Sequence, residues 1–361
     1  MKKVCFFGIY DPNYSRNRVL RVGFETNGYE IIDCQIDSRT SGRISKYWEL
    51  YQTYKRLDLK HNPCDLVVVA FPGHTVVWLA RILFGQKFIF DAFVSLYDSN
   101  VMDRKLYFSF DPRAWKDFCL DWWAVSLAPI VLLDTKAQIE YFHKTFSLDQ
   151  TKAVRVFVGT DDRYFYPAER TNVLSGDKFV VHFHGSFIPL QGIEYIVRSA
   201  SMLLEDSNIV FRLIGRGQER KKIEALVKDL KVSNTAFIDY VDYDKLRGYL
   251  NSAHVCLGIF GITDKASRVI PNKVFEALAC GRPIITLDSP AIRELLNDGE
   301  NVVLCRAGDD QSLKEAILKL KSLDLSKREL IGQNARKLYE EKLTPTKIVE
   351  QLLLDIEQAL K

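Results

Sequence analysis

Short runs rich in Val, Ile and Phe recur along this chain, and the segments between them carry apolar residues at helical spacing. That alternation constrains the fold more than any other feature. Parallel strands need crossover helices, and strands covered on both faces read as continuous apolar runs. Strands are expected near 3–8, 29–34, 65–70, 87–91, 129–134 and 153–158, with helices near 15–27, 43–57, 74–84, 101–124 and 135–147. After the polar stretch Tyr166-Pro167-Ala168-Glu169-Arg170-Thr171-Asn172 the series restarts. Strands then fall near 179–184, 209–214, 235–238, 254–259, 284–287 and 302–305, and helices near 191–204, 218–230, 243–250, 273–280, 290–297 and 311–322. The reading is α/β, with two doubly wound Rossmann-like domains over 1–170 and 171–344 and a last helix over 345–361. Two such sheets are expected to turn their strands' carboxyl ends toward one interdomain cleft, where helix N-termini favour a phosphorylated ligand.

Composition removes several alternatives. Fifty Lys and Arg against 46 Asp and Glu leave a net charge of +4, too balanced for the dense cationic surface that nucleic acid requires. The cysteines at 5, 34, 64, 119, 256, 280 and 305 are odd in number and never form C-x-x-C, so buried reduced thiols are expected rather than disulfides or zinc. Met-Lys-Lys followed by Val4–Ile9 reads as a first strand rather than a leader, and a cytoplasmic location is expected. The most apolar later stretch, 122–133, is well short of the roughly 20 residues that span a bilayer. Membrane contact would therefore be peripheral, through the basic and aromatic segment 39–60, in which Arg39, Arg43, Lys46, Lys55, Arg56 and Lys60 interleave with Tyr47, Trp48, Tyr51 and Tyr54. Trp115, Trp122 and Trp123 would extend that surface; alternatively the aromatic residues pack on their own sheet.

The densest chemistry lies in 263–283. Lys265 and Arg268 precede Ile270, Pro271, Asn272 and Lys273, where a helix begins, and Glu276 lies about one turn inside it. First-turn N–H groups and cations can hold a phosphate there, while a carboxylate accepts both hydroxyls of a ribose. The alternative is an exposed Lys273–Glu276 helical pair. In the first half, the turn containing Asp11, Arg16 and Asn17 follows the first strand, with Ser15 or Asn13 as helix cap; Arg16 is a cleft-side donor or a solvated neighbour of that cap. Asp91 ends a strand and is a candidate base, or else a cap or salt-bridged loop residue. His74 is a second candidate, or a packed residue. Asp161-Asp162 and Asp309-Asp310 read as turns, so no metal is expected.

Five blocks in order resemble the family 4 glycosyltransferases, whose fold is the two-Rossmann arrangement called GT-B. They are Gly185-Ser186-Phe187-Ile188-Pro189-Leu190-Gln191-Gly192, Leu213–Glu219, Phe237–Leu246, Ser252-Ala253-His254-Val255, and the F-E-A-L-A-C-G-R-P run ending at Pro283. The resemblance implies a retaining glycosyltransferase that moves a sugar from a nucleotide-diphosphate donor to a glycan or lipid-linked acceptor in cell-surface polysaccharide assembly, at the inner face of the plasma membrane. It assigns the acceptor to the first domain and the nucleotide sugar to the second, and implies that the last helix, 345–361, returns to the first domain. It implies that Glu276 binds the ribose, that Tyr240 and Val241 line the base, and that Ile270–Lys273 cradle the diphosphate with Gly185, Arg216, Lys265 and Arg268 nearby. Asp91, Lys273 and Glu276 are the expected catalytic residues. The family pattern has Glu where this chain has Arg268, and an Arg and a Lys where it has Phe187 or Ile188 and Gln191. A nucleotide-sugar epimerase of the same shape, or a silent scaffold for glycan assembly, are the alternatives.

Overall fold

The computed structural model describes residues 1–37, 42, 45–168 and 178–359. They form two compact units, Met1–Asp161 with Leu343–Lys361, and Asp162–Lys342.

The first unit holds strands β1 (Lys2–Ile9), β2 (Tyr29–Ile36), β3 (Leu66–Val69), β4 (Ile89–Phe93), β5 (Ile130–Leu133) and β6 (Ala153–Arg155). They make one parallel sheet in the order β2-β1-β3-β4-β5-β6, with Val4 opposite Ile31 on one side and Leu66 on the other. Helices α1 (Ser15–Thr26), α2 (Ser45–Arg56), α3 (Val77–Phe84), α4 (Pro112–Leu127) and α5 (Lys136–Phe146) are the crossovers. Side chains alternate across a strand, so β1 feeds two cores. Cys5, Phe7 and Ile9 meet Leu50, Val77, Ala124 and Phe142 from α2 to α5. Val4 and Phe6 meet Val19, Leu20 and Phe24 of α1 on the opposite face.

The second unit repeats the scheme with β7 (Phe179–His184), β8 (Ile209–Ile214), β9 (Thr235–Ile238), β10 (Val255–Leu257), β11 (Ile284–Leu287) and β12 (Val303–Cys305). Their order is β12-β11-β10-β7-β8-β9, all parallel. Its helices are α6 (Ile193–Ser201), α7 (Arg220–Asp229), α8 (Tyr243–Ser252), α9 (Asp264–Arg268), α10 (Asn272–Ala279), α11 (Pro290–Arg293), α12 (Asp310–Ser322) and α13 (Leu325–Lys342). The last helix, α14 (Pro345–Ala359), lays Ile348, Val349, Leu352 and Ile356 into the α1 core of the first unit. No helix among the described residues is long and apolar enough to cross a membrane.

Three expectations need correction. The single helix expected at 101–124 is instead a π-helical turn, Asp98–Asp103, an open loop, and α4; Asp111 caps α4 and Pro112 occupies its first turn, which stops the helix from extending backward. Helix α13 was not expected, because it buries only a thin strip of small and mixed residues: Ile331, Gly332, Ala335 and Tyr339. The cysteines are all free thiols, but Cys119 is exposed and Cys64 half-buried.

Candidate functional site

In an open α/β sheet the crevice lies where strand order reverses, outside the strands' carboxyl ends. In the second unit that point falls between β7 and β10. The loops leaving these strands are joined there, with Phe260 N–H donating to the Gln191 carbonyl at 3.0 Å. Glycine is required where β7 and β8 end. Gly215 has φ +143°, and a Cβ on it would stand 1.9 Å from the Gly185 carbonyl oxygen.

Helix α10 brings Lys273 and Glu276 to this point, both buried, at 5% exposure each. They are not the exposed helical pair that was the alternative. Pro271 precedes the helix, and no side chain caps its first turn, so the N–H groups of Asn272 and Lys273 face outward from the helix start. Lys273 lies 4.0 Å over the Phe183 ring and donates from Nζ to Gln191 Oε1. A Cβ on Gly185 would come within 2.9 Å of that Nζ. Burial pushes the Lys273 pKa down to about 7, with Glu276 opposing the shift. Where the family pattern has a cation, this chain therefore has an amide acceptor that holds a cation delivered from α10.

Behind Glu276 runs a chain of hydrogen bonds that sequence reading missed. Arg212 can only donate, and its Nε–H reaches His182 Nδ1 at 3.3 Å. His182 then carries its proton on Nε2 and donates to His184 Nδ1 at 3.2 Å. His184 in turn donates from Nε2 to Glu276 Oε2 at 2.6 Å. Burial first, then the charges of His184, Arg212 and Lys273, holds the His182 pKa well below its ordinary 6.5. Glu276 is thereby oriented as an acceptor by the His184 ring. The signal in the sequence was V-H-F-H-G, since alternation along β7 puts both histidines on the face opposite Phe183.

Beside this cluster a cavity of about 240 Å³ is lined by His184, Gly185, Arg216, Tyr240, Val241 and Leu246, among others. Tyr240 is 62% exposed and its ring lies 5.0 Å under the Arg216 guanidinium. Of the residues singled out earlier, Gly185, Arg216, Tyr240, Val241, Lys273 and Glu276 thus come together. Ile270 is buried and Pro271 and Asn272 half-buried at the α10 start; Lys265 is buried and Arg268 half-buried on α9.

In the first unit the structure revises the expected roles. Asp91 is fully buried, and both its oxygens accept from Arg16, at 3.1 and 3.0 Å from Nε and 2.9 Å from Nη2. With both oxygens held by a buried guanidinium, Asp91 is a structural partner of Arg16 rather than a base. Arg16 is itself buried, not solvated, and also donates to the Val156 and Phe157 carbonyls. Asn17 ties the loops after β1 and β3 together, donating to the Asp11 and Phe71 carbonyls, while the Asp11 carboxylate accepts from Asn13 N–H. Neither Ser15 nor Asn13 caps α1, whose N-cap is Tyr14. His74 is packed, 2% exposed, and burial lowers its pKa to about 4. Arg39 and Arg43 of the basic segment lie outside the described residues. Helix α2 packs on its own sheet through Leu50 and Tyr54, with Tyr47 against Trp78. Asp309 caps α12, and among the described residues no three His, Cys, Asp or Glu side chains converge as a metal site.

Residues 178–322 match the family model described as glycosyl transferases group 1. An uncharacterized glycosyltransferase of Methanocaldococcus jannaschii is 24% identical over 187 residues, 52% of this chain and 48% of that protein. N-acetyl-alpha-D-glucosaminyl L-malate synthase of Bacillus anthracis is 24% identical over 203 residues, 53% and 50% of the two chains. The chain thus spans about half the length of these curated relatives. Among solved structures, sucrose-phosphate synthase from Thermosynechococcus elongatus aligns with a TM-score of 0.76 at 16% identity, over 100% of this chain and 99% of its own. HepE of Anabaena, in complex with UDP-glucose, aligns with a TM-score of 0.73 at 14% identity, over 99% and 100%. The GT-B fold and the resemblance to this family are borne out.

Proposed function

We propose, proceeding from the group 1 glycosyltransferase domain that this chain carries over residues 178–322, that the protein transfers a sugar from a nucleotide-diphosphate donor to a glycan or lipid-linked acceptor, with retention of configuration, in cell-surface polysaccharide assembly. The observation that carries this reading is the buried Lys273–Glu276 pair at the start of α10, set beside a cavity that ends on Tyr240. Glu276, held by His184, receives the ribose hydroxyls; the base enters the cavity against Tyr240 and Val241. Lys273 and the first N–H groups of α10 meet the diphosphate, where negative charge develops as the sugar's C1–O bond breaks. The acceptor oxygen bonds to C1 and its proton passes to the departing phosphate oxygen, so no carboxylate base is needed and Asp91 has no part. A uridine donor is the first to test, because HepE, of the same fold, binds UDP-glucose.

The test is a panel of nucleotide sugars in thermal shift, followed by product analysis with and without acceptor. A donor should raise the melting temperature of the wild type and leave Glu276→Ala unmoved. Stabilisation by no donor would remove the reading, and an epimerised nucleotide sugar formed without acceptor would replace transfer with epimerisation.

A further inference from the structure

We infer that the loop before α4 and the outer face of α4 form a surface that docks on an anionic lipid bilayer. On the loop, Phe108 and Phe110 are 75% and 78% exposed, with rings stacked at 5.4 Å and nearly parallel. On α4, Trp115, Trp122 and Trp123 are 62%, 48% and 44% exposed. Their spacing of seven and eight residues puts all three within about a quarter of the helix circumference. Soluble proteins scatter exposed apolar residues singly, and five exposed aromatic side chains between 108 and 123 mark an interaction surface.

The charges select the occupant. Arg104, Lys105, Arg113 and Lys116 are all exposed along the same stretch. The acids of that stretch are turned inward or held. Asp103, Asp117 and Asp121 are 1%, 6% and 0% exposed, and Asp111 is paired with Arg113 at 2.8 Å. Asp117 accepts from Asn100 and Tyr107, and Asp121 from Ser95 and the N–H groups of Leu96 and Tyr97. The outer face therefore offers aromatic rings and an excess of cations, the Arg113 charge being matched by Asp111. Amphipathic rings settle at the headgroup level of a bilayer, and each nearby cation adds about fivefold to partition onto an anionic surface. A second copy of this chain would instead bring cations against cations. Helix α2, where contact was first expected, has Leu50 and Tyr54 buried and exposes one aromatic ring, Trp48, with Lys55 and Arg56 in its last turn. The docking surface lies wholly in the first unit and does not depend on the donor reading.

The test is co-sedimentation of the full chain with vesicles of phosphatidylcholine alone, or with roughly one-third phosphatidylglycerol. Binding is expected to the anionic vesicles only, weakened by salt and accompanied by a blue shift of Trp emission. The double variant Phe108→Ser/Phe110→Ser should lose at least about tenfold in partition, and Lys105→Glu or Lys116→Glu several-fold each, with unchanged melting temperatures because these side chains are exposed. A polarity-sensitive label on Cys119, exposed on the same helix, gives an independent reading. Absence of binding, or equal binding to neutral vesicles, overturns the inference. So does a concentration-dependent dimer that the Phe double variant abolishes without any vesicle binding, an outcome that assigns the face to a second copy.

Discussion

At Glu276 the decisive feature is the direction of the hydrogen bonds behind it. Because Arg212 can only give protons, His182 and His184 are each left donating toward the carboxylate. His184→Leu removes the donor and leaves Glu276 buried without it, at about 1–3 kcal/mol, or about 5- to 150-fold in donor affinity. His184→Gln restores a donor and should bind within a few-fold of wild type in calorimetric titration; equal losses in both variants would reduce His184 to packing. Lys273 adds a pH dependence. Its pKa is about 7 in the folded protein against an ordinary 10.5, so between those values the unfolded chain binds the extra proton and the free protein gains stability as pH rises. A diphosphate needs the charged form, so donor affinity should be flat below about pH 7 from this group and fall toward tenfold per unit above it. Proton uptake on binding, measured in buffers of different ionisation enthalpy, checks the sign. Lys273 and Glu276 were legible in the sequence as a motif. Gln191 was not, because it reads as a lost cation until the Lys273 stem is seen to reach it. His182 and His184 were not, because the V-H-F-H-G alternation puts both rings on one face of β7 without saying which side chains of other elements stand before and behind them.

Among elements, legibility followed burial. Strands expected at 179–184, 209–214, 235–238 and 284–287 have those bounds, since parallel strands are rich in Val, Ile, Leu and Phe and end where glycines and turn residues begin. The stretch from 98 to 127 was misread because apolar residues at helical spacing there face water rather than a core, so periodicity spoke for a surface and not for continuous helix. The return of the last helix to the first domain was implied by the resemblance, but its close approach to α1 was not legible, being written in a missing side chain. A Cβ on Gly23 would stand 2.3 Å from the Pro345 carbonyl oxygen and 2.4 Å from Val349 Cγ2. Gly23→Ala must therefore push α14 outward, and we predict a loss of about 1–3 kcal/mol with faster hydrogen exchange over 345–359. Gly248→Ala is the counterpart: nothing lies within 4 Å of the added Cβ on α8, so a gain of about 0.5–1 kcal/mol is expected in chemical denaturation.

Across the whole molecule, the two units keep separate cores. Phe179, Phe183, Ile193 and Ile317 belong to one, while Phe7, Phe90 and Phe142, or Phe6, Val19 and Ile348, belong to the others. Everything proposed to grip the donor lies within 182–276, inside the second unit. Ligand binding stabilises only the states that hold the ligand, by about 2.7 kcal/mol at a hundred times the dissociation constant. Openings that release the second sheet's carboxyl edge should then become rarer by that factor, whereas openings confined to the first unit keep their own free energy. Hydrogen exchange at saturating nucleotide sugar is therefore expected to slow over 182–186, 213–217, 239–246 and 272–276, and to stay unchanged across β1, β3 and α14. Slowing that spread evenly over both sheets would mean that the donor also draws on groups of the first unit, and the Lys273–Glu276 site would then be only part of what holds it.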